Sequence, residues 1–148
     1  MFRYSPAVLA LLVATPALSQ SIPVPKNLYG NYAPGGDCAR QPRVVVNTAG
    51  VFLETASGKA GPLPVDVCYS CAGGARYEGI QVWVMVKYGK DKWGGDTFPV
   101  TMMFNDGERR GALLLEHDDT MRIPIGIPMT QVVQARTFRL CKGGRAGA

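Results

Sequence analysis

An all-β fold is predicted for this chain: one small single-domain barrel or sandwich of about seven or eight short antiparallel strands, stabilised by disulfides. Three observations predict it. Short segments with an apolar residue at every second position recur along the chain, separated by turn residues. Eighteen glycines and eleven prolines among 148 residues suit many turns and few helices. Four cysteines follow an N-terminal stretch with the features of an export leader, an arrangement that fits a small domain held by two bridges in an oxidising compartment.

In chain order, residues 1–19 read as a cleavable signal peptide. Arg3 precedes the apolar run Ala7-Val-Leu-Ala-Leu-Leu-Val-Ala14, and Pro16 and the small-residue pair Ala17 and Ser19 follow. The run is too short to span a bilayer, and no cysteine stands at the expected cut to accept a lipid. Residues 20–141 then form the single β-domain, and the polar, glycine-rich residues 142–148 are expected to be disordered.

Within the domain, residues 27–36 are turn-rich and lead to Cys38. Segments 43–47 and 51–55 flank Thr48-Ala-Gly50 as a hairpin. Residues 63–67 alternate Leu63, Val65 and Val67 against Pro64 and Asp66. The strongest strand is 80–88: Val82, Val84 and Val86 face one way and Trp83 and Met85 the other, so it should be central and covered on both sides. Segment 98–104 reaches the turn Asn105-Asp-Gly107 and returns as 110–116. Residues 121–125 read as a further strand, placed on an edge by Pro124. Residues 128–136 fit either a short helix opened by Pro128 or an extended segment, and 137–141 is a final strand. A membrane-spanning barrel would need strands of about 9 to 11 residues, and only 80–88 approaches that length.

Of the three ways to pair four cysteines, Cys38 with Cys141 is favoured. It ties the first strand to the last, and closing a loop of about 100 residues is worth roughly 4 kcal/mol in the chain-entropy model. That leaves Cys68 with Cys71. A redox-active C-x-x-C wants a helix starting at its first cysteine, whereas Gly73 and Gly74 follow here, so a structural turn disulfide is expected.

The chain carries 16 basic and 11 acidic residues, a formal charge of +5 that loses one unit with Arg3. The charges are interspersed, so nucleic acid is not an expected partner; an envelope protein or anionic polymer fits better. No transmembrane segment is expected after the leader is removed. No cofactor or metal is implied: phosphate-binding glycine patterns are absent, and cysteines in an oxidising compartment pair before they hold zinc.

Catalytic signals are thin. Glu116-His117-Asp118-Asp119 holds the only histidine, but consecutive strand residues point to opposite faces, so the cluster is expected to be an exposed turn. No G-x-S-x-G is present. Two loops stand out for binding. The first, residues 68–78, combines the Cys68/Cys71 pair with Tyr69, Arg76 and Tyr77, side chains that make strong interface contacts. The second, residues 88–96, carries Lys90, Lys92 and Trp93 among glycines, either as a recognition loop for a sugar or anionic polymer or as a plain loop whose tryptophan folds back over the core.

The stretch Ala72-Gly-Gly-Ala-Arg-Tyr-Glu-Gly79, with Trp83 and Lys87 downstream, resembles the periplasmic and membrane-bound inhibitors of c-type lysozyme. That resemblance implies a small exported β-barrel whose Ser-Gly-x-x-Tyr loop and downstream lysine enter the lysozyme cleft. It covers about a dozen residues, and Gly73 stands where the motif serine would be. The expectation from sequence is therefore an exported β-domain, periplasmic or secreted, that binds and does not catalyse. The alternatives are a lysozyme-inhibitor-like protein and a small enzyme using His117 or Cys68/Cys71.

Overall fold

Alternation along the strands becomes the inner face of one sheet. The computed structural model describes residues 23–73 and 77–142. They form nine strands: β1 (Gly30–Ala33), β2 (Arg43–Asn47), β3 (Gly50–Thr55), β4 (Gly58–Ala60), β5 (Val65–Cys68), β6 (Val82–Val86), β7 (Val100–Phe104), β8 (Ala112–His117) and β9 (Thr137–Leu140), with one α-helix, α1 (Ile127–Ala135), between β8 and β9. All belong to a single antiparallel sheet in the order β4-β3-β2-β1-β9-β8-β7-β6-β5. The sheet curls into a half-barrel; the architecture is a curled sheet and not a sandwich.

Every second residue of the strands builds the core. Val44 and Val46, Val51 and Leu53, Val82, Val84 and Val86, Met102 and Phe104, and Leu113 and Leu115 are all buried on the inner face. The outward row that crosses β6, β7 and β8, formed by Trp83, Met103 and Leu114 in register, is partly covered as well. Helix α1 begins with Pro128 in its first turn and adds Met129 and Val132, three residues apart on one face, to the same core. It packs against β3, β4 and β8, and Ser57 Oγ donates to Gln131 Oε1 at 2.9 Å. The ambiguous stretch 128–136 is thus helical.

Two tie points draw the outer strands together. Leu63 N donates to Val51 O at 2.8 Å, and Lys87 N donates to Pro64 O at 2.8 Å, so the β4–β5 connection bridges β3 and β6. Cys38 bonds Cys141 and Cys68 bonds Cys71, the pairing expected from sequence.

Three strand expectations are corrected. Residues 121–125 are not a strand: β8 is already paired on both sides, Arg122 turns the chain at φ 52°, and Pro124 has no N–H to give a ladder. Residues 27–36, read as turns, contain β1, which sits between β2 and β9 with Tyr32 fully buried. The short β4, also missed, pairs only with β3. The expected leader and all but Lys142 of the expected tail lie outside the described residues. Among the described residues, no helix is long and apolar enough to cross a membrane.

Candidate functional site at the Trp93 end

Antiparallel order sorts the connections between two ends of the half-barrel. At the disulfide end lie residues 34–42, 56–57, 68–73, 77–81 and 105–111, with Cys141 beside them; at the other, the Trp93 end, lie 48–49, 61–64, 87–99 and 118–126, from which α1 runs back along β3 to Ser57. The two binding loops expected from sequence flank β6, a strand of five residues, so they stand about 17 Å apart at about 3.3 Å per residue. They cannot make one site.

At the disulfide end, the first loop is anchored to the β7–β8 turn. Glu108 Oε2 accepts from Ile80 N at 2.8 Å, and Asn105 Nδ2 donates to Ile80 O at 2.9 Å. Asn105 sits in the left-handed region at φ 54° and also accepts Gly111 N on Oδ1 at 3.0 Å. Tyr77 lies against the backbone of Gly73 and Gly79, where a β-carbon at either position would overlap its ring. It packs within its own loop and is half-buried. Tyr69 is 56% exposed. Arg76 lies outside the described residues. Of the expected trio, then, Tyr69 is exposed and Tyr77 is turned into its own loop.

The second loop is ordered by its own hydrogen bonds. Tyr88 N donates to Thr97 O at 2.9 Å, Asp91 N to Gly95 O at 2.8 Å, and Gly94 N to Asp91 O at 3.1 Å. Lys90 and Asp96 face each other in a β-bridge and pair Nζ to Oδ1 at 2.6 Å. At the tip, Asp91 Oδ1 accepts both Trp93 N (2.8 Å) and Gly95 N (2.9 Å). A short carboxylate that caps the N–H two residues on makes a tight local turn. The result holds Trp93 out: its side chain is 84% exposed, with Lys92 Nζ 5.1 Å from the ring centroid. The alternative in which Trp93 folds over the core is overturned, because the Asp91 turn points the tip away from it.

At the base of this loop, Lys87 Nζ reaches Asp66 Oδ1 at 2.9 Å and Asp96 Oδ2 at 3.4 Å. Asp66, more than Asp96, raises the Lys87 pKa, and Lys90 leads in lowering that of Asp96. Lys87 also borders an open cleft of about 370 Å³ with Tyr29, Asn47, Thr48, Pro62 and Pro64. Its only charged group is thus already neutralised by two carboxylates.

The neighbouring connection completes this end. Tyr88 Oη donates to Ile125 O at 2.9 Å, and Asp118 N donates to Pro99 O at 2.8 Å, so residues 118–126 are bonded to both ends of the Trp93 loop. Two further large apolar side chains are exposed there, Ile127 at 68% and Met121 at 43%. Met121 was missed because residues 121–125 were read as a strand, and Ile127 because it lies between that stretch and the one read from Pro128. Asp91 was missed too, although Asp two residues before an N–H at a glycine-rich tip is the signature of such a turn.

His117 was expected in an exposed turn; it is instead the last residue of β8, paired with Val100. Its Nε2 is shielded from solvent and bonds to no described residue. The adjoining cleft, about 460 Å³, is lined by Glu116, Asp119, Val133 and Arg136 besides His117, with no serine or cysteine to act as nucleophile. Among the described residues no group of three or more His, Cys, Asp and Glu side chains is placed to hold a metal ion. Ordered geometry around an exposed side chain is what the Trp93 end offers. No family model, curated protein or solved structure matches this chain.

Proposed function

We propose that this chain is an exported, periplasmic or secreted, β-domain that acts by binding a component of the cell envelope, and that the Trp93 end is its binding surface. One observation carries the reading: Trp93 is 84% exposed on a loop whose backbone and side-chain bonds hold it there. Preorganisation of this kind lowers the entropy cost of binding, and tryptophan is the side chain that gains most from being covered. Two disulfides support an oxidising compartment.

For the lysozyme-inhibitor alternative, Gly73, Tyr77 and Gly79 lie at the disulfide end, and Lys87 lies at the other with two acidic partners. The enzymatic alternatives gain no supporting observation: the His117 cleft holds Glu116 and Asp119 but no serine or cysteine, and Cys68 and Cys71 are bonded to each other.

The test is co-sedimentation of the processed chain with isolated envelope material that holds both lipid and cell-wall polymer. The wild type and Tyr69→Ala should pellet with it, and Trp93→Ala should remain in the supernatant. Equal pelleting of all three, or of none, would remove this end as the binding surface.

A further inference from the structure

The two disulfides stand in opposite surroundings. Cys141 is 5% exposed, its N–H donates to Asn31 O at 2.8 Å, and Cys38 is half-buried. At the other bond Cys68 is half-buried, but Cys71 is exposed, as are Tyr69 and Ser70 between the two cysteines. A thiol in solution has a path to Cys71 that it lacks to Cys141.

The loop around the exposed bond is also held without it. Cys68 ends β5 and is paired with Trp83 in the β5–β6 ladder. Further on, Tyr77 packs on Gly73 and Gly79, Glu108 accepts from Ile80 N and from Gln81 N at 3.4 Å, and Asn105 donates to Ile80 O. The bond spans a sequence separation of three, against 103 for Cys38–Cys141, so it gains far less from loop closure. An exposed disulfide with little holding it closed is the labile kind. Residues 71–73 form a turn and not a helix, so the helix N-terminus that activates a catalytic thiol is missing: the site undergoes exchange and does not drive it.

We propose that Cys68–Cys71 is a reversible thiol–disulfide exchange site, opened by a dithiol that attacks Cys71. The attacking thiolate bonds to Cys71 Sγ, the Sγ–Sγ bond breaks, and Cys68 leaves as a thiolate and takes up a proton. The second thiolate of the dithiol then attacks its own sulfur in the mixed disulfide. Cys71 is released and protonated, and the dithiol leaves as a disulfide, oxidised by the two electrons the protein has gained. Tyr69 and Ser70 are freed from their ring, while Cys38–Cys141 and the sheet stay as they are.

In the test, the processed and oxidised chain is incubated without denaturant in graded dithiothreitol, quenched with acid and alkylated, and its cysteines are mapped by peptide mass. Cys68 and Cys71 should be labelled at a concentration roughly tenfold or more below that needed for Cys38 and Cys141. The chain reduced at 68 and 71 alone should keep one cooperative thermal transition, and oxidised glutathione should restore the bond. Two single variants locate the attack: Cys68→Ser, with Cys71 free, should take up oxidised glutathione roughly tenfold faster than Cys71→Ser takes it up at Cys68. Labelling of all four cysteines together, or of 38 and 141 first, overturns the proposal. So does loss of the cooperative transition when only 68 and 71 are reduced, because the bond would then be structural. Uptake no faster in Cys68→Ser overturns Cys71 as the attacked sulfur.

Discussion

The rings of Tyr32 and Phe104 meet edge to face with centroids 5.2 Å apart, although their strands, β1 and β7, are separated in the sheet by β9 and β8. Only a sheet curled back on itself brings them together, and the contact marks the middle of the core. Tyr32 Oη donates to Leu28 O at 2.8 Å in the same place. Removing that hydroxyl in Tyr32→Phe leaves the Leu28 carbonyl without this donor and is expected to cost about 1–3 kcal/mol in a urea melt, with the fold retained.

Burial pushes the Tyr32 phenol from 10.0 up to about 12. The folded state therefore holds its proton when the unfolded chain would release it. This contribution is whole below pH 10 and is lost as pH rises through about 12, a fall on the order of 3 kcal/mol. Melts between pH 9 and pH 12 should show that limb in the wild type, and Tyr32→Phe should flatten it. An equally steep limb in the variant would locate the alkaline transition elsewhere.

Asp91 organises the Trp93 tip through two backbone acceptances. Asp91→Ala should cost about 1 kcal/mol or less globally, because the loop is exposed, yet free the indole. In a Trp83→Phe background, the remaining tryptophan should show faster local depolarisation of its fluorescence. An unchanged decay would mean that the Lys90–Asp96 pair alone orders the tip.

Asn105 joins two loops at the disulfide end while adopting a left-handed backbone. Asn105→Gly keeps that backbone without strain and removes only the side-chain bonds to Ile80 and Gly111. About 2 kcal/mol of stability should be lost, read from the midpoint of chemical unfolding, since the residue is buried and both partners would be left unpaired.

The two disulfides should be unequal. Cys38 and Cys141 are 103 residues apart and Cys68 and Cys71 three, so chain entropy assigns about 4 kcal/mol or somewhat more to the first and about 2 kcal/mol to the second. Paired serine substitutions at 38 and 141 should lower the melting temperature well beyond those at 68 and 71. The reverse order would show that the 68–81 loop is cooperative with the core.

Most strands were legible because they alternate: 43–47, 80–88 and 98–104 contain β2, β6 and β7, and within those ladders Val44, Val46, Val82, Val84, Val86, Val100, Met102 and Phe104 are buried as the period-two pattern assigns. β1 was not, because Gly30-Asn-Tyr-Ala33 has weak strand propensity and owes its conformation to partners about 15 and 110 residues away in sequence, β2 and β9. The reverse error at 121–125 has the same cause: alternation was present, but no ladder remained for it to join.

The candidate site divides in the same way. Trp93, Lys90 and Lys92 could be singled out by residue type, whereas their separation from Tyr69 and Tyr77 follows from the direction of β6, and the joining of residues 118–126 to the base of the Trp93 loop from hydrogen bonds between segments distant in sequence. By itself the sequence determined the fold class, the turn-rich composition and the disulfide partners, because alternation, glycine and proline placement and cysteine spacing act over short stretches or close a single loop. Only the tertiary structure decided the strand order, the curl and which loops share an end, because these are set by pairings between distant segments that bury a common core.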